Sequence, residues 1–271
     1  MRVVVSGSFD NMHAHQMRFL EQAARLGEVH LLLWPDALVE AQTGRAPKFP
    51  QEERRYFLES VRYVSAVHLP EQMQSPGDLA WMEPLRPEVW AEDGQDAQPD
   101  AGEWFRAHGV TRRVIRAEEV SGFPPEPEMD LCGTGLKKVL VTGCYDWLHS
   151  GHVRFFEEAS AYGDLYVVVG NDANVRNLKG EGHPLYPQDL RRYMAGSIRY
   201  VHQALITSGW GWMDAEPEIE RLRPDIYLVN EDGDVPEKRA FCAQRGLEYV
   251  VLKRLPRPGL QRRSSTDLRG F

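Results

Sequence analysis

The chain repeats itself. Its opening, MRVVVSGSFDNMHAHQMRFLEQAARLGEVHLLLWPDA, lines up with KVLVTGCYDWLHSGHVRFFEEASAYGDLYVVVGNDA from Lys138 onward. KFPQEERRYFLESVRYVSAVH then matches LYPQDLRRYMAGSIRYVHQAL, LRPEVW matches LRPDIY, and HGVTRRVI matches RGLEYVVL, all in the same order. Each copy carries its own set of apolar positions, so the chain is expected to fold as two copies of one structure. A length of 271 residues suits two domains of ordinary size. The intervening EVSGFPPEPEMDLCGTGLK is rich in Pro, Gly and acidic residues, which predicts domains at 1–118 and 137–271 with a linker at 119–136.

Within each copy, short β-branched runs alternate with stretches of helical periodicity. In the second copy strands are expected at 138–143, 165–170, 225–229 and 248–252, with a short one near 202–206. Alternating β and α units predict the α/β class: two tandem Rossmann-like domains, each an open parallel sheet with helices on both faces. Ligands of such sheets sit at the carboxyl ends of the strands. His149, Asn171, Asp172, Asn230 and Asp232 all fall just beyond those ends.

The net charge of −8 argues against broad nucleic-acid binding, so any phosphate site has to be locally basic. No apolar run is long enough to span a membrane, and the chain enters a strand pattern at once instead of a signal peptide, so a cytoplasmic protein is expected. Cys132, Cys144 and Cys242 are odd in number and lack metal-ligand spacing. Reduced thiols are expected, and no protein-bound metal.

Chemistry concentrates in KKVLVTGCYDWLHSGHVRFFEEASAYG, residues 137–163. Val139, Leu140 and Val141 lead to Gly143; after a turn, Val153, Phe155, Phe156 and Ala159 recur at helical spacing, and Gly163 is read as the C-cap. His149 and His152 stand three apart at the helix start, where side chains share a face and free backbone N–H groups favour an anion. With Gly143-Cys144-Tyr145-Asp146 ahead of His149-Ser150-Gly151-His152, the stretch resembles the nucleotidyltransferase superfamily bearing an H-x-G-H signature, specifically its cytidylyltransferase-like branch. Gly151 lets backbone approach the nucleotide closely.

The resemblance implies attack of a substrate phosphate on the α-phosphorus of a nucleoside triphosphate, with release of pyrophosphate and with Mg2+ arriving on the triphosphate. His149, His152 and Lys179, in NDANVRNLKGEG, are the implied catalytic groups. Gly143, Tyr145, Asp146, Gly151, Asn171, Asp172, Arg191, Asn230 and Asp232 are the implied nucleotide- and phosphate-binding residues, together with Arg263, Ser264, Ser265 and Thr266 of the tail. The tail resembles the family's element that closes on the triphosphate, with Arg257, Arg262 and Arg263 all open as its cation. CTP and a small phosphorylated alcohol or amino alcohol are the expected substrates; the stretch NDANVRNLKGEGHPLYP also resembles adenylyltransferases that act on sugar phosphates, which keeps ATP open. A non-catalytic nucleotide-binding protein is the rival of a different class.

Comparing the copies assigns the reaction to the second. Against His149-Ser150-Gly151-His152 the first has His13-Ala14-His15-Gln16, and against Lys179 it has Thr43. The first copy is expected to keep the fold without the reaction, although Arg45 and the turn Glu92-Asp93-Gly94 remain near the equivalent pocket. Ser60 to Val64 and Ser197 to Val201 match the stretch through which related enzymes pack as dimers, implying an intramolecular pseudo-dimer.

Overall fold

The computed structural model of the chain describes residues 1–70, 72–76, 79–95, 102–265 and 268. It divides into two compact units, Met1–Gly122 and Phe123–Phe271. The first runs β1 (Arg2–Gly7), α1 (Ala14–Ala24), β2 (Glu28–Leu33), α2 (Asp36–Thr43), α3 (Gln51–Glu59), β3 (Ala66–His68), β4 (Val89–Asp93), α4 (Gly102–Ala107) and β5 (Thr111–Ile115). The second runs β6 (Lys138–Gly143), α5 (Ser150–Ser160), β7 (Asp164–Val169), α6 (Asp172–Lys179), α7 (Gln188–Gly196), β8 (Gln203–Ile206), α8 (Glu216–Leu222), β9 (Ile226–Asn230), α9 (Pro236–Arg245) and β10 (Glu248–Leu252).

Each unit is built on a parallel five-stranded sheet flanked by helices, and the order β3-β2-β1-β4-β5 recurs as β8-β7-β6-β9-β10. Val3, Val4 and Val5 are fully buried, as are their counterparts Val139, Leu140 and Val141. Every position of β7 is buried, which is how a parallel strand covered on both faces reads in sequence. The neighbours of β6 are β7 and β9, so the strand that leads into the two histidines occupies the middle of its sheet. Among the described residues no helix is long and apolar enough to cross a membrane.

Two local expectations change. Gly163 does not cap α5, whose C-cap is Ala161. A Cβ at Gly163, where φ is +152°, would lie 2.0 Å from the Lys137 carbonyl oxygen, so the glycine is needed for backbone approach. Gly27 stands in the same way against Met1, at 2.1 Å. Much of the stretch read as a linker dresses the edge of the second sheet instead. Glu126 accepts from the Ile206 amide at 2.8 Å, the Asp130 carbonyl accepts from the Tyr166 hydroxyl at 2.7 Å, and Thr134 donates to the Asp164 carboxylate at 2.8 Å. The first of these contacts satisfies a backbone amide of the edge strand β8, and the other two tie the segment to side chains of β7.

Candidate active site

His149 is the N-cap of α5 and only 3% exposed. Its Nδ1 accepts a hydrogen bond from the Gly151 amide at 3.1 Å. An acceptor nitrogen has no proton, so the neutral ring carries its proton on Nε2. That Nε2 is buried without a partner, as is Nδ1 of His152. The two rings stack with centroids 3.9 Å apart and planes 26° from parallel. Burial, with Arg254 and Arg263 adding repulsion, pushes the His149 pKa down to about 3. Burial, His149, Arg254 and Lys179 hold His152 well below its ordinary value too. Both are neutral near pH 7, and they offer hydrogen-bonding nitrogens in a locally basic setting at a helix N-terminus.

Tyr145 backs this pair. Its ring meets His152 and Phe156 edge-on, each at 5.2 Å, and its backbone adopts φ +50°. The tyrosine lies so close over Gly143 that a Cβ there would come within 2.7 Å of its ring. Its buried hydroxyl has no partner, and burial raises its pKa. Gly143 therefore makes room for the aromatic ring that props the histidines.

Four residues expected to bind nucleotide or phosphate have other duties. Asp146 is buried and accepts from the Leu185 and Tyr186 amides at 2.7 and 3.0 Å. Arg191 is 1% exposed and donates to the Tyr186, Cys144 and Gly170 carbonyls at 2.8, 2.6 and 2.8 Å, to Asp172 at 2.6 Å, and weakly to the Cys144 sulfur. Four guanidinium N–H groups have firm partners and the side chain is fully buried, so the head offers no open face to an acceptor phosphate. Asp172 is thereby the partner of Arg191. Asn171 caps α6, accepting from the Asn174 amide at 2.9 Å while its side-chain amide donates to the Thr207 and Gly209 carbonyls. Together they lock the loops at the carboxyl ends of β6, β7 and β8.

Lys179 sits on the last turn of α6, and Gly180 follows as the C-cap. The Asn171 cap extends the helix through this stretch. Lys179 faces the site closely enough to depress His152 and to oppose the burial that raises the Cys144 pKa. Asn230 ends β9 and lines a narrow cleft with Gly151, Phe155, Arg254, Arg262 and Arg263. That cleft encloses only about 20 Å³. Asp232 is not among the residues lining the cleft: its carboxylate pairs with Arg254, whose amide donates to Glu231. Ser265 donates to the Trp147 carbonyl at 3.1 Å, drawing the tail over the start of α5, and Ser264 lies beside it in sequence. A Cβ on Gly151 would come within 2.9 Å of the His149 ring, so the glycine leaves room for that imidazole, while the Arg263 carbonyl at 3.8 Å is in ordinary contact. Thr266, expected in this tail, lies outside the described residues.

Sequence reasoning missed Arg254. It is held by the acidic turn after β9 and lowers the pKa of both histidines, yet its sequence neighbourhood offers several arginines and no motif that singles it out.

The first unit repeats the scaffold without the open nitrogens. Asp10 accepts from the Lys48 and Phe49 amides, and Arg54 donates to the Phe49, Ser8 and Trp34 carbonyls and to Asp36, contact for contact the clamp of Asp146 and Arg191. His13, the counterpart of His149, has its Nε2 engaged by Asn11 at 2.7 Å. Gln16, the counterpart of His152, folds back to accept from the His13 amide. Where the second unit presents open nitrogens, the first has bonded them internally. Arg45 is not among the described residues lining the equivalent cavity, whereas Glu92 and Asp93 are.

The family described as cytidylyltransferase-like matches residues 140–270. The FAD synthase of Aciduliprofundum boonei is 35% identical over 136 residues, spanning 49% of this chain and 84% of that protein. The bifunctional protein HldE of Alkalilimnicola ehrlichii is 43% identical over 98 residues, which is 33% of this chain and 20% of that one. Among solved structures, the lipopolysaccharide core biosynthesis protein of Thermoplasma volcanium aligns at 21% identity and a TM-score of 0.37, covering 43% of this chain and 94% of that chain.

Proposed function

The chain belongs to the cytidylyltransferase-like family of nucleotidyltransferases, and from that premise we propose that its second unit moves a nucleotidyl group from a nucleoside triphosphate onto a phosphate monoester. An acceptor oxygen attacks the α-phosphorus, the α,β bridging bond breaks, and Mg2+-pyrophosphate leaves. The observation that carries this reading is the stacked His149–His152 pair with buried, unpartnered nitrogens at the start of α5. A neutral imidazole N–H can donate to phosphate oxygens as charge builds on them, with no proton transfer required. Arg254, Arg263 and Lys179 supply the positive field. Mg2+ enters as part of the triphosphate, because Mg2+ keeps much of its water and needs few protein ligands.

ATP is the donor we propose. The similarity to FAD synthase supports it, since FAD carries an adenylyl group, as does the resemblance of the α6 stretch to adenylyltransferases. CTP is the second reading, favoured by the resemblance of Gly143 to Asp146 and His149 to His152 to the cytidylyltransferase-like branch. Pyrophosphate release with the four triphosphates and a panel of phosphate monoesters tests both. ATP-dependent release supports the first reading, CTP-dependent release the second, and no release under any pairing removes both. The pseudo-dimer is also retained as a proposal, supported by the match of Ser60 to Val64 with Ser197 to Val201.

A further inference from the structure

The unit without the histidine pair holds a cavity of about 630 Å³ at the carboxyl ends of β1, β2 and β4. That volume is in the range of sites that bury small molecules, roughly 300 to 1,000 Å³. Its walls include Phe9, Phe19, Trp34 and Trp90. Both indoles are tethered: Trp34 Nε1 donates to the Ser6 hydroxyl at 2.8 Å and Trp90 Nε1 to Glu92 at 2.6 Å. Trp90 is 3% exposed and packs on Phe105, whereas the half-buried, tethered Trp34 gives the cavity a fixed aromatic wall for a flat ring, with little side-chain freedom left to lose on binding.

The polar lining excludes phosphate. None of the described residues lining the cavity is lysine, arginine or histidine, and three are the acids Asp10, Glu92 and Asp93. Glu92 is buried and held by Arg112 at 2.7 and 3.0 Å, and Asp93 pairs with His15, so these carboxylates are fixed in place. An anion entering would meet three carboxylates and no cation among the described lining residues, since Arg112 and His15 engage Glu92 and Asp93 from outside the lining. Ser8, Gln16 and Gln42 instead offer hydroxyl and amide groups suited to neutral hydroxyls.

We propose that this cavity is a binding site for an uncharged heteroaromatic ligand of the nucleoside class, a base with its sugar and without phosphate. The choice of nucleosides among such ligands rests on the reading of the second unit as a nucleotide site, because the two units share one scaffold; the cavity and its lack of a facing cation do not.

Isothermal titration of the full chain with adenosine, cytidine, guanosine and uridine tests this. At least one should bind saturably below about 1 mM. Binding should persist in His152→Ala and in the presence of saturating Mg2+-triphosphate. Gln42→Trp, which adds bulk at an exposed position on the cavity wall, should weaken it by about tenfold or more. The proposal is overturned if no nucleoside binds, if triphosphates displace the nucleoside, or if Gln42→Trp, shown folded by its thermal transition, binds unchanged. Nucleoside binding in a chain that releases no pyrophosphate would discard the proposed function and leave this one standing.

Discussion

Replacing Arg191 with methionine separates a structural clamp from a substrate contact. The side chain is 1% exposed, and its removal strands the carbonyls of Tyr186, Cys144 and Gly170 along with the Asp172 carboxylate. Each stranded acceptor costs about 1 to 3 kcal/mol if no water repairs it, and breaking a buried charged network typically costs about 3 to 5 kcal/mol. Asp172 is 32% exposed on its side chain, so its share is discounted for solvent. For a unit of this size, about 4 kcal/mol corresponds to a fall of roughly 10 °C in the thermal midpoint. Differential scanning calorimetry should show that fall for Arg191→Met, and a similar one for Arg54→Met, the equivalent clamp. Below its transition, Arg191→Met should keep the acceptor KM within about twofold. An unchanged midpoint with an acceptor KM raised about tenfold or more would refute the reasoning and return Arg191 to the substrate.

Other outcomes follow from individual residues. The folded pKa of His149, about 3, lies below its ordinary 6.5, so protonation opposes folding: stability is full above about pH 6.5 and drains away as pH falls toward 3. Urea midpoints at pH 7 and 4.5 should draw closer together in His149→Gln, and an unchanged gap would contradict the assignment. Arg254→Ala should raise the triphosphate KM about tenfold with stability nearly unchanged, since its ion pair with Asp232 is largely solvated; kinetics beside a melting curve would decide it. Gly163→Ala should destabilise the second unit by several kcal/mol because its Cβ cannot coexist with the Lys137 carbonyl, and a wild-type melting temperature would refute this.

The duplication made the fold legible, because two copies of one hydrophobic pattern constrain each other. The histidine pair was legible for a similar reason: the first copy has glutamine where the second has His152. Asp146, Asn171 and Arg191 were read as ligand contacts because a polar residue just past a strand looks the same whether it faces a nucleotide or ties down a loop. Asp10 and Arg54 make the same contacts in the unit that lacks the histidine pair, and that recurrence was the signal for structure. Arg254 had no such signal. Its role depends on β10 lying beside β9, so that the turn at Asp232 can hold it near α5, and that adjacency is tertiary.

On the proposed function, residues 137–271 perform the transfer through the open nitrogens of His149 and His152. Pyrophosphate release by the full chain carrying His152→Ala, set against His13→Ala, tests it most directly. Losing one donor to the transition state should lower kcat by about 100- to 1,000-fold in His152→Ala, while His13→Ala keeps wild-type turnover. Full activity in His152→Ala, or its loss in His13→Ala, would contradict the account.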